Sequence, residues 1–400
     1  MKRLLKTTTL SLVTATAIYA GGYKIPEVST NGVALSAANI AHGHGADAAY
    51  YNPANMAFME DRASMEVDLL FIGLDSVKFQ GAGSMTGVDI EAEKEAFIIP
   101  SFNYVSSDFN GFRAGFSMVV PGGLSKRWSD TPAKDTAEEF TLEVVELNPT
   151  LAYRVTDTFS LAVGLRAIHS AGIVKSSSTA SRDMTGDSFD FGYNVALAYK
   201  PTDALELAVT YRSEVELKEE GNAKLYIGDA KVYDGGSSVN VPLPAFFTVA
   251  ASYTFESKTT VEFVYERNFW SAYDSLDFDY SSAIPNILQP SFDGVLVKDW
   301  KDTDAYRLGI TQELESMTLM VGAVYDNNPI PDEKLSFELP DSNALSLSLG
   351  GRYKINESMD VGVSALYSIR DERSAKNDNV DGRFSNSNVL ILSTGIGYKF

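Results

Sequence analysis

The chain of 400 residues carries 33 Lys and Arg against 53 Asp and Glu, a formal net charge of −20, and it contains no cysteine. This charge argues against binding to nucleic acid, which needs clustered basic residues, and the missing cysteines exclude disulfides, Cys-ligated metals and thiol nucleophiles. An apolar content of 44% excludes a disordered chain, and beyond the amino terminus no run of about 18 apolar residues marks a membrane-spanning helix.

Residues 1–20 have the pattern of a secretory signal peptide. Lys2, Arg3 and Lys6 precede an uncharged run over residues 7–19, and small residues follow from Ala20. The uncharged run is too short and too rich in threonine to serve as a membrane anchor. We therefore predict that the protein is exported and that residues 1–20 are removed.

Residues 21–62 show no alternation typical of strands and are mostly small and polar, as in the stretch from Asn31 to Asn39. From about residue 63 to the carboxyl terminus, apolar and polar residues alternate with period two. Leu345, Leu347 and Leu349, for example, alternate with Ser346 and Ser348. Period two predicts strands with one apolar face and one wet face.

Fourteen segments show this alternation. They cover residues 63–79, 96–106, 110–121, 140–154, 158–177, 187–200, 203–219, 241–256, 258–279, 303–315, 317–327, 343–356, 358–370 and 387–400. The predicted connections are short after even-numbered strands and long after odd-numbered ones, where they span residues 80–95, 122–139, 178–186, 220–240, 280–302, 328–342 and 371–386. Such spacing indicates an up-and-down meander with both chain ends on the short-turn side.

Charged residues in the middle of predicted strands decide between two β architectures. A soluble β-sandwich has a dry apolar core, in which charged side chains are rarely buried unless they are paired. The charged residues in question are Glu206, Arg212, Arg166 and Glu262. A membrane barrel turns its apolar face to lipid and its polar face to the lumen. The chain also ends in Phe400, as the closing strands of bacterial outer-membrane barrels do. We therefore predict an all-β fold, a fourteen-stranded antiparallel transmembrane β-barrel over residues 63–400.

Four stretches carry a further pattern in order along the chain. They are residues 46–54 with Asn52-Pro53-Ala54, residues 210–215, residues 300–309 and residues 325–353. Together they resemble the FadL/TodX family of outer-membrane channels for long-chain fatty acids and hydrocarbons. One departure is Asn55, where the family usually has glycine after Asn-Pro-Ala.

The resemblance implies an arrangement inside the barrel. Residues 21–62 would form a small hatch in the lumen, with Asp47, Asn52, Pro53 and Ala54 as its motif. A hatch of this size fits a passive channel rather than an energy-driven transporter. The third strand would be kinked to open a sideways exit, with Gly115 or Pro121 contributing to the kink.

The resemblance also suggests where substrate binds. Basic side chains would hold a fatty-acid head group, and Lys301 matches the family's Lys-Asp beside Ala-Tyr-Arg. Arg166 is a further candidate from its strand position alone. In the predicted loop 122–139 and just after it, Leu124, Trp128 and Phe140 would capture apolar ligands.

Most inward-facing arginines should have a structural role. By parity, the side chains that point into the lumen are those of Arg113, Arg166, Arg212, Arg307 and Arg352. We expect most of them to pair with luminal acids such as Glu206 and Glu214.

His42 and His44 lie two residues apart with Asp47 nearby, a spacing that would allow metal chelation. The alternative is a flexible glycine-rich stretch, and we expect neither a metal nor a cofactor. His169 is the remaining histidine, and without a Gly-x-Ser-x-Gly motif we expect no enzyme. An adhesin or an enzyme built on a barrel is the more distant alternative.

These observations predict a channel in the outer membrane of a Gram-negative bacterium for passive uptake of hydrophobic molecules. Capture by the loops, an apolar luminal pocket and movement of the hatch would form the route. The expected partners are fatty acids, alkanes or aromatics and outer-membrane lipids including lipopolysaccharide, with no nucleic acid and a monomeric state. The alternative is a general porin or a structural barrel without specificity for hydrophobic substrates.

Overall fold

The computed structural model describes residues 21–400, so the predicted signal peptide lies outside the described residues. None of the helices in residues 21–400 has the length and apolar character needed to cross a membrane.

Fourteen strands within residues 21–400 form one closed antiparallel barrel. They are β1 (Ser64–Leu74), β2 (Glu95–Val105), β3 (Phe112–Arg127), β4 (Glu139–Thr156), β5 (Phe159–Ser176), β6 (Ala180–Tyr199), β7 (Leu205–Arg212, continued by Val215–Ile227), β8 (Ala230–Leu243, continued by Phe246–Thr254), β9 (Thr259–Asn268), β10 (Thr303–Glu313), β11 (Met317–Asp326), β12 (Ala344–Lys354), β13 (Met359–Arg370) and β14 (Val389–Lys399). Each strand pairs with the next, and β14 pairs with β1 from Lys399 opposite Ser64 onward. The predicted fourteen-stranded barrel is confirmed.

The two faces of the wall follow the predicted parity. Along β12, Leu345, Leu347 and Leu349 are exposed on the outside, whereas Ser346 and Ser348 are buried inside. An apolar exterior around a polar lumen is the inverse of a soluble β-protein. It is the arrangement that a surrounding bilayer requires.

Two of the predicted long loops are wrong. The connection predicted over residues 178–186 is a turn of residues 177–179, because β6 already begins at Ala180. Residues 220–240 form a β-hairpin that turns at residues 228–229, because β7 and β8 continue through them. Residues 218–222 are polar and show no period-two alternation, so the sequence does not predict these strands. A hairpin that extends beyond the lipid has no need of an apolar outer face.

The remaining elements are short. The helices are α1 (Thr30–Ala34), α2 (Ala48–Tyr51), α3 (Ala133–Ala137) and α4 (Gln289–Phe292), and the 3₁₀ helices are Pro53–Phe58, Gly83–Met85, Trp270–Ala272 and Asp332–Lys334. A four-stranded sheet in the loops consists of Lys78–Gly81, Asp89–Glu91, Arg373–Lys376 and Asp381–Ser385. Ser275–Leu276 pairs with Leu296–Val297, and Phe278–Tyr280 adds to the edge of β8.

The wall is interrupted where β3 leaves β2. These two strands pair only over residues 102–105 and 115–118, and β3 shifts its register against β4 between residues 119 and 122. At the shift, the amide of Ile25 donates to the Pro121 carbonyl and the amide of Gly123 donates to the Tyr23 carbonyl, both at 2.8 Å. Residues near the amino terminus thus satisfy backbone groups that the neighbouring strand leaves unpaired.

Residues 21–62, here called the amino-terminal segment, lie against the inner side of the wall. Helix α1 packs on β1 and on β11 to β14, and the 3₁₀ helix Pro53–Phe58 packs on β3 to β6. Glycines in the wall make room for this contact. A Cβ atom on Gly309 of β10 would lie 2.8 Å from the Ala38 carbonyl oxygen and 2.9 Å from the Ala38 Cβ.

Replacing Gly309 with alanine should therefore push the amino-terminal segment away from β10. Overpacking of this kind costs about 1–3 kcal/mol, so the urea midpoint of unfolding in lipid vesicles should fall. Gly172→Ala on β5 is the matched control, because a Cβ there would meet its nearest neighbour at an ordinary 3.7 Å. Equal midpoints for both variants would contradict the packing described for Gly309.

Candidate functional site

An apolar cavity, partly open to solvent, lies at the long-loop end of the barrel. Its wall comes from the long-loop halves of the strands and from the loops. It includes Leu124, Phe140, Leu142, Val174, Met184 and Ile330. Most of these side chains belong to one continuous buried apolar cluster. A space with this lining suits an apolar molecule.

The amino-terminal segment contributes Tyr23 to the lining of the cavity. The ring centroid of Tyr23 lies 4.8 Å from that of Trp270 and 6.0 Å from that of Trp300, and its hydroxyl donates to the Pro242 carbonyl. Gly22 precedes it with φ +77°, and a Cβ there would overlap the Trp270 ring. Only glycine allows this close approach, so the packing of Tyr23 against Trp270 depends on Gly22.

A buried cation also faces the cavity. Lys298 and Glu338 both line it, and they form an ion pair with each other. Burial alone would lower the pKa of Lys298, but the adjacent Glu338 carboxylate raises that pKa above its usual value. Lys298 therefore stays charged at neutral pH inside a mostly apolar space.

The structure brings together only some of the predicted substrate residues. Leu124 and Phe140 line the cavity. Trp128 is buried beside it, where its indole N–H donates to the Phe337 carbonyl at 2.9 Å. Lys301 instead lies at the surface and pairs with Asp299 at 2.8 Å. Lys298, three residues earlier, is a buried cation at the cavity, which the less buried Lys334 also lines. Lys298 lies in a loop, where alternation gives no indication of side-chain direction.

Arg166 lies in a buried ion cluster away from the cavity. Its guanidinium pairs with Glu146 at 2.9 Å, and Arg212 pairs with the other oxygen of the same carboxylate. Arg212 also donates to the Tyr50 carbonyl of the amino-terminal segment at 3.2 Å. The predicted inward direction and the pairing with a luminal acid are confirmed for both arginines. The two acids named as examples are wrong, since Glu206 pairs with Lys200 and Glu214 is exposed.

A second cluster fixes the middle of the amino-terminal segment. Arg307 pairs with Glu266 at 3.1 Å and donates to the Ser36 carbonyl at 3.0 Å. Lys24 pairs with the same Glu266 carboxylate at 2.6 Å. Ser36 has φ +50°, a backbone conformation that costs free energy for a residue other than glycine. The contact with Arg307 helps hold this strained turn in place.

The two other luminal arginines make comparable contacts. Arg352 pairs with Glu66 at 2.8 Å and donates to the Asn31 side chain at 2.9 Å. Arg113 donates to the carbonyls of Met59 and Glu60, both at 2.8 Å. The five arginines predicted to be luminal thus balance their charge with acids or with carbonyl groups, and four of these five bond directly to the amino-terminal segment.

The predicted hatch motif ties the amino-terminal segment together. Asp47 accepts hydrogen bonds from Ser29 at 2.7 Å and from Asn31 at 3.1 Å. Asn52 caps the 3₁₀ helix by accepting from the Ala54 amide at 3.1 Å, and Pro53 takes the first helical position, where no N–H is needed. The Ala54 carbonyl in turn accepts from Ser160 of β5 at 2.7 Å.

The two predicted residues of the third strand occupy different places. Gly115 lies where β3 still pairs with β2, and a Cβ on it would lie 2.6 Å from the Met56 sulfur. Its missing side chain admits the 3₁₀ helix to the wall. Pro121 lies at the register shift, where its carbonyl accepts the amide of Ile25.

Comparison with known proteins places this architecture. The model of the family described as outer membrane protein transport protein (OMPP1/FadL/TodX) matches residues 11–400. The chain belongs to this family. It is accordingly an outer-membrane transport protein, and the predicted family and location are confirmed.

Individual members of the family are distant from this chain. The long-chain fatty acid transport protein of Salmonella typhi is 25% identical over 431 residues, which cover 97% of this chain and 96% of that protein. A FadL homologue of Pseudomonas aeruginosa has a TM-score of 0.84 at 19% identity and covers 95% of this chain and all of its own. The toluene transporter TodX of Pseudomonas putida has a TM-score of 0.72 at 16% identity, with 92% and 98% covered. At such identities the likeness of structure shows the fold.

The ion cluster around Glu146 generates a stability prediction. Glu146→Gln would leave Arg166 and Arg212 buried without their carboxylate, which should lower the free energy of unfolding by about 3 kcal/mol. Urea unfolding of the protein in lipid vesicles measures this change. The control is Glu143→Gln, three residues earlier on β4, for which no ion pair occurs within the described residues. A loss as small as that of the control would contradict the role given to Glu146.

Proposed function

We propose that the protein takes up hydrophobic molecules by passive diffusion across the outer membrane. The observation that carries this proposal is the apolar cavity at the long-loop end, which Tyr23 lines next to a lumen crowded with ion pairs. An apolar molecule gains free energy by leaving water for such a cavity, whereas a wet pore offers it no favourable path. Relatives named as fatty acid and toluene transporters support the same substrate class.

The proposed route begins at the loops and ends at the wall. Leu124, Trp128 and Phe140 would receive the substrate at the cavity side of β3 and β4. Tyr23 would then move with the amino-terminal segment, which acts as the hatch. The break between β2 and β3 offers a sideways exit, because at Pro121 the strand edge is completed by residues 23–25 rather than by β2. Gly115 would mark the lower limit of that exit.

Lys298 favours a substrate that carries a carboxylate. Its charge lies in a mostly apolar environment. Glu338, which also lines the cavity, forms an ion pair with it. A fatty-acid head group would compete for the ammonium group while the alkyl chain filled the apolar part. Lys301, the residue expected from the family pattern, would serve this role only if its loop moved inward.

The remaining expectations concern partners and chemistry. We infer a monomer surrounded by outer-membrane lipids including lipopolysaccharide, with the exposed apolar belt of the wall as the contact surface. We infer no catalytic role, since His169 is exposed on the outer side of β5 and its Nδ1 lies 2.8 Å from the Ser188 carbonyl oxygen.

Uptake by whole cells tests the proposal. The protein is produced in a strain without its own channel, and labelled long-chain fatty acid, alkane and monoaromatic are supplied separately. We expect at least one of them to enter faster than in cells with the empty vector. Entry of all three at the vector rate, or equal gain for a small hydrophilic sugar as in a general porin, would overturn the proposal.

Variants of the cavity cation refine this experiment. Lys298→Gln should raise the half-saturating fatty-acid concentration about tenfold, the usual effect of losing a charged hydrogen bond, and leave monoaromatic uptake unchanged. Glu338→Gln should lower the half-saturating fatty-acid concentration, because Lys298 would lose its ion-pair partner and could bind the carboxylate of the substrate. Lys301→Gln is the matched control and should change neither. If both substrates slow equally in Lys298→Gln, the residue does not recognise the carboxylate.

A further inference from the structure

Two histidines of the amino-terminal segment meet a carboxylate of the wall near the short-turn end of the barrel. The Nδ1 atom of His42 lies 2.6 Å from one oxygen of Glu206, and the Nε2 atom of His44 lies 3.4 Å from the other. One ligand atom from each of the three residues lies within 4.8 Å of the other two. Glu206 belongs to β7, more than 160 positions from the histidines, so the fold alone creates this group.

The loop that carries the histidines is held in a fixed shape. Successive amides of Ile40, Ala41 and His42 donate to the Glu262 carboxylate at 2.7, 2.7 and 3.0 Å. The Asn55 side chain donates to the carbonyls of Ile40 and Ala41 at 3.0 and 3.2 Å. The two imidazole rings therefore stand edge to face, with centroids 4.5 Å apart. A prearranged pair of this kind loses little freedom on binding a ligand.

The donor set suits a borderline divalent cation. Two imidazoles and one carboxylate are common ligands of Zn²⁺ with an open fourth position, whereas Ca²⁺ and Mg²⁺ prefer oxygen ligands alone. Tetrahedral Zn²⁺ with bonds of about 2 Å separates its ligand atoms by about 3.3 Å, so a contraction of at most about 1.5 Å would complete the site. The histidines line a second space that is open to solvent, which gives an ion access and a water molecule room for the fourth position.

We propose that His42, His44 and Glu206 bind Zn²⁺ and thereby join the amino-terminal segment to β7. The sequence suggested Asp47 as the nearby carboxylate and led us to expect no metal, but Asp47 is engaged by Ser29 and Asn31. Glu206 takes its place.

Lys200 is the built-in competitor of the ion. Its ammonium group pairs with the Glu206 oxygen nearest His44 and lies 5.0 Å from the centroid of the Phe58 ring. Zn²⁺ must displace this charge to reach the carboxylate. Removing the charge should therefore tighten metal binding, which is the opposite of what removing a ligand does.

Calorimetric titration of the detergent-purified protein with zinc chloride tests the site directly. The protein must carry no polyhistidine tag, because such a tag binds Zn²⁺ itself. We expect one equivalent of Zn²⁺ to bind. His44→Ala should weaken binding more than about tenfold, since even outer partners of metal ligands contribute that much. Lys200→Met should tighten it, and His169→Ala, which alters the one histidine outside the site, should leave it unchanged.

A stability measurement separates lost binding from lost folding. The His44 side chain is 37% exposed, so without metal His44→Ala should unfold at the wild-type temperature. Zn²⁺ should raise the unfolding temperature of the wild type but not of this variant. Absence of binding, or wild-type binding by His44→Ala, would overturn the site.

The effect on transport rests on the proposed function. If the amino-terminal segment must move during uptake, Zn²⁺ should slow hydrophobic uptake by wild-type protein and not by His44→Ala. Binding of Zn²⁺ without any effect on uptake would leave the metal site established. It would contradict the expectation that the bound ion restricts movement of the amino-terminal segment during uptake. If neither the wild type nor the variants take up hydrophobic substrate above the vector rate in the absence of zinc, the result would instead count against the proposed function.

Discussion

The lipid around the barrel sets the constraint from which the other features follow. Because the apolar face of every strand contacts lipid, the polar face must point into the lumen. Charged side chains on that face are therefore buried inside the barrel, away from bulk water. A buried charge is costly unless it is paired. Here the pairs form partly within the wall, as between Arg166 and Glu146, and partly with carbonyl groups of the amino-terminal segment. The charged lumen is therefore what binds the segment.

This binding divides the interior into two regions of opposite character. Ion pairs and amide contacts fill the part where α1 and the 3₁₀ helix Pro53–Phe58 lie. Apolar side chains line the cavity beyond Tyr23. The boundary lies where residues 23–25 complete the edge of β3. A substrate that reaches the floor of the cavity thus meets the point where the wall depends on the segment rather than on a neighbouring strand.

Much of this architecture was readable from the sequence, and the rest was hidden for physical reasons. Alternation revealed fourteen strands and the inward arginines, since period two reports which face a side chain occupies. It does not report which residues of other strands lie opposite, so Glu146 was missed as the partner of Arg166 and Arg212. Polar hairpins outside the lipid lack alternation, which concealed the extension of β7 and β8. Loop residues have no periodicity, so Lys298 was passed over in favour of Lys301.

Ion conductance in planar bilayers tests most directly whether the amino-terminal segment closes the barrel. We predict that the intact protein passes no steady current. A variant without residues 21–62 should produce large, regular current steps, which also shows that the barrel inserts under the same conditions. A steady current through the intact protein equal to that of the shortened variant would contradict closure by the segment.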